Sequence, residues 1–459
     1  MHLFHNCWCF VRDLLEWCDF CMVRFLKAGS LLMLTIHLCG YAILCYAAVC
    51  CCSSRQPTMS DPHLSLEQIS TYLHDGILVV DNLLSPSEII EAQTSLAQTL
   101  LNDNNVDISN LEETGHNLTN ASSTNGAGGV LDIFYPDWKM SIATNEQLFR
   151  MTCQLWKESY CNGETKEDVR WHPYGTFDCN RGYMYIDRIG FRLPSKLAES
   201  IGERQLSNKE ATTDATAINN ASTTRKKKKK KSRAIQRSLT PHFDLCPEAY
   251  HDVTNKNKWR PIQCFVSLTD NLLPNTGGFE AAPGFHREFH SWVQNGRRLN
   301  SNSDDSAIAS GEVMSSPKQQ QPCIGEYTHV HDRELMKRVQ HIPVRAGSVV
   351  FWDNRLPHGN SYRNDNSYDQ TVPSSTAPLE SCGARAVVYC SFLPDIAINR
   401  RFVERQLIDW KLGRAPRVGD RWIKQDGEEE DDDDNDLRNN EMELQLSDLG
   451  RKLIGLDKW

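Results

Sequence analysis

Nothing in this sequence is built to cradle a phosphate. Neither GxGxxG nor GxxxxGK[ST] occurs, so the common nucleotide-binding folds are set aside. No stripe of Lys and Arg interleaved with aromatic residues is present, and no nucleic-acid partner is expected. No internal repeat stands out, which argues against a solenoid or propeller. The cysteines beyond residue 52 have no repeated short spacing, so the body does not read as a disulfide scaffold.

What is present is unevenly distributed. Of 459 residues, 40% are hydrophobic and 24% charged, ordinary proportions for a globular chain. The net charge of -9 comes largely from one run, Glu428 to Asp436, with eight acids in nine residues. Lys226 to Lys231 form an unbroken run of the opposite sign. Both read as solvated segments rather than binding surfaces. Nine of the 17 cysteines precede Ser53. His2, His5, Cys7, Cys9, Cys18 and Cys21 contain the ingredients of a zinc site, but their paired spacing is not repeated and bulky apolar residues fill the gaps.

Residues 30–52 read SLLMLTIHLCGYAILCYAAVCCC, a candidate transmembrane helix long enough to cross the hydrocarbon. Arg24 and Lys27 precede it and only Arg55 follows closely, which favours an anchor with the body on the lumenal side. Cys50 to Cys52 would instead suit palmitoylation with the body in the cytosol. Translation from Met59 would give a cytoplasmic protein without the segment. Residues 1–58 are therefore expected to be a Cys-rich N-terminal segment, membrane-anchoring when present, with the side of the membrane left open.

From Leu64 the text becomes globular. Ser65 and Gln68 form a capping-box pattern, so a helix is expected from Ser65 to Asp75, with Leu66, Ile69 and Leu73 on its buried face and Gly76 as its stop. A short strand, Ile77 to Val80, and a second helix from Leu84 through about Leu101 follow. Residues 102–129, rich in Asn, Ser, Thr and Gly, read as an extended surface loop. The sequons at Asn117 and Asn120 would matter only in a secretory lumen. Strands are expected over Arg181 to Leu193, Thr240 to Asp244, Trp259 to Asp270, Arg345 to Trp352 and Gly383 to Phe392. Residues 203–238, 295–322 and 364–382 read as further disordered polar insertions. Residues 424–445 read as an acidic linker, and residues 446–459 as a C-terminal helix packing on the domain. Short strands between turn signals, with helices at the front, predict a mostly β fold with flanking helices, a barrel or jelly roll.

His242-Phe243-Asp244 ends one of these strands. Alternate side chains of a strand share a face, which aims His242 and Asp244 the same way and Phe243 the other. His-x-Asp alone is weak, since chance produces it often. His358 lies 114 residues after Asp244, just beyond another apolar strand, and is the natural third ligand. Two imidazoles and a carboxylate on one face of an octahedron form the facial triad of non-haem Fe(II) oxygenases, which leaves positions for a 2-oxo acid and dioxygen. Holding 2-oxoglutarate also needs a cation at the far end of the pocket. Arg385 on the last strand supplies a planar fork for its distal carboxylate. The rival, Arg363, sits in a polar turn.

These residues fall in blocks that resemble the phytanoyl-CoA dioxygenase family: LSLEQISTYLHDGILVVDNLL (Leu64 to Leu84), His242-Phe243-Asp244, GGFEAAPGFH (Gly277 to His286), GSVVFWDNRLPHG (Gly347 to Gly359) and Ala384-Arg385-Ala386. The resemblance spans roughly Leu64 to Phe392. It implies a double-stranded β-helix (jelly-roll, cupin-like) core in a domain over residues 59–423, Fe(II) at His242, Asp244 and His358, and 2-oxoglutarate at Arg385. This chain departs from the family in its inserts. His358 and Arg385 stand 27 residues apart, and a Ser/Thr/Pro-rich insertion at Thr371 to Cys382 accounts for the excess.

Tyr185 and Gln263 lie on strands that could line the cofactor pocket, although ordinary barrel packing explains them as well. Trp352 and Phe265 read as core, Gly277 and Gly278 as a turn needing positive φ, and His286, by resemblance, as closing the pocket. The expected activity is hydroxylation of a small organic or lipid-like substrate with dioxygen, releasing succinate and CO2, by a monomer with ascorbate as a reductant. Two other readings stay open: a membrane-tethered, non-catalytic binding module on the same fold, and a cupin-type metal enzyme that does not use 2-oxoglutarate. Arg385 separates the last from the first.

Overall fold

A computed structural model describes residues 63–161, 168, 170–216, 234–250, 256–294, 327–368, 379, 382–416 and 446–459, with residues 208–216 as backbone only. The expected N-terminal membrane segment, the insertion at 295–322, most of that at 364–382 and the acidic linker at 424–445 lie outside the described residues. Among the described residues no helix is long and apolar enough to cross a membrane.

The helices in chain order are α1 (Leu66–Asp75), α2 (Pro86–Asn104), α3 (Leu111–Thr114), α4 (Asp137–Ala143), α5 (Glu146–Ser159), α6 (Ser195–Thr216), α7 (Phe289–Gln294), α8 (Arg333–Met336), α9 (Ala397–Lys411) and α10 (Asp448–Ile454). The strands are β1 (Ile77–Val80), β2 (Val130–Leu131), β3 (Gly182–Arg192), β4 (His242–Phe243), β5 (Ile262–Ser267), β6 (Phe279–Ala281), β7 (Thr328–His329), β8 (Gln340–His341), β9 (Val349–Asp353), β10 (His358–Asn360) and β11 (Arg385–Pro394). They form two antiparallel sheets, a major one in the order β1-β9-β5-β11-β3-β2 and a minor one in the order β7-β4-β10-β6-β8. This is the double-stranded β-helix with flanking helices.

The near-continuous apolar runs of the major sheet follow from burial on both faces. Along β9, Val349 and Phe351 join the core shared with α2, α4 and α5, whereas Val350 and Trp352 point into a second core with Phe243 and Phe279 of the minor sheet. β5 divides in the same way, with Cys264 and Val266 on one face and Phe265 on the other.

Ser65 and Gln68 close the capping box of α1, and Gly76 ends it at φ 68, a left-handed conformation that costs glycine little. The buried face differs from the expected one. Ile69 and Tyr72 go inward, Leu66 is 86% exposed and Leu73 is also exposed. The buried pair follows the i, i+3 spacing, and Tyr72 outcompetes the leucines because it reaches the closed space beside Asp353.

Residues 105–129 are not an extended loop. Two short 3-10 helices flank α3, and Val106, Ile108, Leu111 and Leu118 are buried in the main core. The insertion expected at 203–238 is likewise structured at both margins. α6 runs to Thr216, and Gln236 is buried with its amide accepting from the Leu193 N–H at 2.8 Å and donating to the Phe191 carbonyl at 2.8 Å. At the chain end, the Trp459 indole donates to the Gly182 carbonyl at 2.7 Å and so ties residues after α10 to the start of β3.

Candidate metal and anion site

The minor sheet brings the two histidines together. β4 and β10 pair antiparallel with His358 directly opposite His242, and the ring centroids lie 4.5 Å apart. The alternation expected of the strand carries Phe243 into the core between the sheets and leaves Asp244 on the side of His242. Asp244 Oδ1 is 3.3 Å from His242 Nε2, and Asp244 Oδ2 is 3.6 Å from His358 Nε2. One ligand atom from each of the three residues falls within 4.8 Å of the other two, the sole such cluster among the described residues.

The backbone fixes which nitrogens face inward. His242 Nδ1 donates to the Thr240 carbonyl at 2.9 Å, and His358 Nδ1 donates to the Leu356 carbonyl at 3.1 Å. A carbonyl only accepts, so each proton sits on Nδ1 and each Nε2 presents a lone pair to the cluster. Burial lowers the pKa of His242, and the neighbouring His358 lowers it further, keeping the ring neutral as a metal ligand requires. Burial alone would raise the Asp244 carboxyl; the facing His242 and His358 Nε2 atoms reverse this when they carry protons and hold it well below the usual carboxylate range, and a divalent ion would take the place of those protons. The residues therefore fit a divalent ion as two neutral imidazoles and one carboxylate.

A cavity of about 190 Å³ opens beside the cluster. Gln263 and Arg385 of the major sheet line it, together with Trp352 and Tyr389. Arg385 is 2% exposed, its guanidinium lies 5.2 Å above the Phe265 ring, and its Nη1 has no hydrogen-bond partner among the described residues. Arg363 is at the surface, 3.3 Å from Asp365. Phe265 is core; Trp352 is core that also shows one face to the cavity.

Three expectations need correction. Tyr185 does not line the cavity but packs one layer beneath it, against Phe402, with the Arg260 guanidinium 4.5 Å above its ring. His286 does not close the pocket. Its Nε2 meets the Leu73 carbonyl at 3.2 Å and its ring fills the space over Gly76, where the missing side chain makes room. At the nearby turn Gly277 has φ 74, whereas Gly278 does not need positive φ and is instead required by the close approach of His341.

Several contributors escaped the sequence reading. Arg260 bridges two carboxylates, with Nη1 at 3.1 Å from Asp187 and Nη2 at 3.2 Å from Asp244. Tyr327 stacks on His242 at 4.3 Å and 25°, while Thr124 and Ala127 of the supposed loop form part of the wall. Arg260 opens the Trp259 to Asp270 strand, and its position there was the one signal available for it.

No protein-family model and no curated protein matched the chain by sequence. Solved structures do resemble it. GlcNAc Inducible Gene 2 (DUF1479) of Candida albicans superposes with a TM-score of 0.54 at 13% identity, covering 87% of this chain and 78% of that one. A hypothetical protein of Escherichia coli gives 0.45 at 14%, covering 86% and 82%. EctD from S. alaskensis, solved with 2-oxoglutarate and 5-hydroxyectoine, gives 0.36 at 12%, covering 74% and 79%. At these identities the likeness concerns the fold, and of the three the Candida structure alone superposes well enough to establish it.

Proposed function

We propose that this chain is an Fe(II)- and 2-oxoglutarate-dependent oxygenase that hydroxylates a small organic substrate. One observation carries the reading. Two carbonyl-anchored imidazoles and a carboxylate converge beside a cavity, and a buried arginine with an unpartnered Nη1 lines the same cavity. The phytanoyl-CoA dioxygenase-like blocks that contain these residues support the same reading. Their name does not fix the substrate, because specificity belongs to the pocket rather than the fold.

In this reading His242, Asp244 and His358 hold iron, which when bound supplies the oxidising chemistry. Carbon and oxygen balance as 2-oxoglutarate, dioxygen and a substrate C–H going to succinate, CO2 and a substrate C–OH. The chain's own residues position the reactants. Arg385 offers a forked donor to the distal carboxylate, and Gln263 places an amide on the same wall. Trp352 and Phe279 pack against His358 and exclude water on that side. The test is metal analysis with 2-oxoglutarate-dependent succinate release from the full chain with iron and ascorbate, comparing native protein and His358→Ala. Stoichiometric iron and succinate lost together in the variant support the reading. Tight metal binding without 2-oxoglutarate turnover would favour a cupin-type metalloprotein.

A further inference from the structure

Arg385 is not the one buried guanidinium at its end of the fold. β3 and β11 pair antiparallel with Arg192 directly opposite Arg385, so the two side chains leave the sheet on the same face. Arg192 is 3% exposed and Arg385 2%. Arg192 Nη2 donates to the Tyr362 carbonyl at 3.0 Å, but Arg192 Nε, Arg192 Nη1 and Arg385 Nη1 are buried without a partner among the described residues. Neither guanidinium ion-pairs with a carboxylate among the described residues. The carboxylate whose charge acts on Arg192 is that of Glu280, which accepts instead from the Ser361 hydroxyl at 2.8 Å.

Two like charges buried side by side are costly to hold without an anion between or beside them. Burial, and then Arg385 itself, pull the Arg192 pKa down to about 10, so Arg192 still carries its proton at neutral pH. Arg385 lines the cavity, and Arg192 stands opposite it on the adjacent strand, outside the cavity wall. Three donor nitrogens without a partner among the described residues and two positive charges describe an anion site with more capacity than one carboxylate–arginine fork uses.

We propose that Arg192 is a second anchor, sharing with Arg385 the distal carboxylate of a dicarboxylic 2-oxo acid, and that the pair makes the pocket selective for dicarboxylates over 2-oxo monocarboxylates. The inference rests on the co-substrate reading above and adds a residue and a selectivity to it. It also separates Arg192 from an ordinary structural arginine. A residue that holds the fold together destabilises the empty protein when removed. Here removal gives up the bond to the Tyr362 carbonyl but relieves repulsion in the empty protein, so its main cost falls on the liganded one.

The experiment uses the full chain loaded with Mn(II), titrated with 2-oxoglutarate and with 2-oxopentanoate, which has the same carbon chain without the distal carboxylate. Native protein prefers 2-oxoglutarate. Arg192→Met weakens 2-oxoglutarate about 10- to 100-fold, the worth of one charge-assisted hydrogen bond, and leaves 2-oxopentanoate and Mn(II) within about twofold. Arg192→Lys recovers part of the loss, since an ammonium restores charge but not the fork. The melting temperature of unliganded Arg192→Met equals or exceeds that of native protein. Unchanged 2-oxoglutarate affinity in Arg192→Met, or equal weakening of both acids with a lower unliganded melting temperature, overturns the proposal. If Arg385→Met alone loses 2-oxoglutarate, this inference fails and the co-substrate reading stands. If native protein binds no 2-oxoglutarate, both fail.

Discussion

At the scale of single residues, the arrangement around Asp244 separates the proposed ligands from the groups that aim them. Its Oδ2 sits between His358 Nε2 and Arg260 Nη2, so Arg260 restrains the carboxylate on the side away from His242. Arg260→Met should leave the three donors in place but free Asp244 to rotate. Metal affinity is expected to fall about 10- to 100-fold, the usual cost of losing an outer partner, with Arg260→Lys intermediate. Equal Mn(II) affinity in native protein and Arg260→Met, measured by calorimetry, would remove Arg260 from this role. A companion comparison separates the two arginines weighed from sequence. Arg385→Ala should raise the 2-oxoglutarate requirement at least about 100-fold, whereas exposed Arg363→Ala should barely change it. His242, Asp244, His358 and Arg385 were legible because strand alternation and forked donors impose patterns on the text. Arg260 and Arg192 were not, since what matters is the strand beside them. Register across β3 and β11 cannot be read from either strand alone.

At the scale of elements, a buried ion pair sits where α1 and β1 meet the site strands. Arg355 Nη2 lies 2.7 Å from Asp353 Oδ2, which also accepts from the Tyr160 hydroxyl at 2.6 Å, and the Asp353 N–H donates to the Gly76 carbonyl at 2.9 Å. Burial alone would raise the Asp353 carboxyl, but Arg355 overrides this and brings it to about 2. A depressed carboxylate stabilises the fold above its unfolded pKa, about 3.9, and that stability is lost as pH falls through the folded value. Native stability should therefore drop between about pH 4 and pH 2. Asp353→Asn should flatten that window and cost about 3–5 kcal/mol at neutral pH by stranding Arg355. Denaturant titrations across the window check both. Equal slopes in the two proteins would show that Asp353 does not set the acid limit. Insertions offer a second test. Replacing residues 217–233 with a Gly/Ser linker should be nearly neutral, given their polar composition, but Gln236→Ala should cost about 1–3 kcal/mol by unpairing Leu193 N–H and Phe191 C=O. Such margins, like the buried Ile108, Leu111 and Leu118, were hidden in the sequence. One-turn helices are too short to build a 3.6-residue period, and Asn, Ser and Gly dominate the spaces between their apolar residues.

At the scale of the whole molecule, the two sheets are unequal and the site joins them. β3 and β11 run 11 and 10 residues, while β4 and β7 have two residues each and β10 has three. A two-residue strand contributes few ladder hydrogen bonds, so the minor sheet should open locally at far lower cost than the major one. Yet His242 and His358 both belong to it, and a metal ion held by them would staple β4 to β10 without touching β3 or β11. Amide exchange distinguishes the sheets directly. Mn(II) at about 100 times its dissociation constant stabilises the bound state by about 2.7 kcal/mol, which corresponds to about 100-fold slower exchange wherever opening releases the ion. That protection is expected at residues 240–244 and 358–360, and no change is expected in the middle of β3 and β11, whose exchange reports wider unfolding. His358→Ala should abolish it at both segments together, because one ligand on each strand is needed for the staple. Adding 2-oxoglutarate should extend protection to β11 around Arg385 only when Mn(II) is present, since the co-substrate would reach from the histidines of one sheet to the arginine of the other. Protection spread evenly over both sheets, or seen on β11 without metal, would show that the site does not couple them in this way.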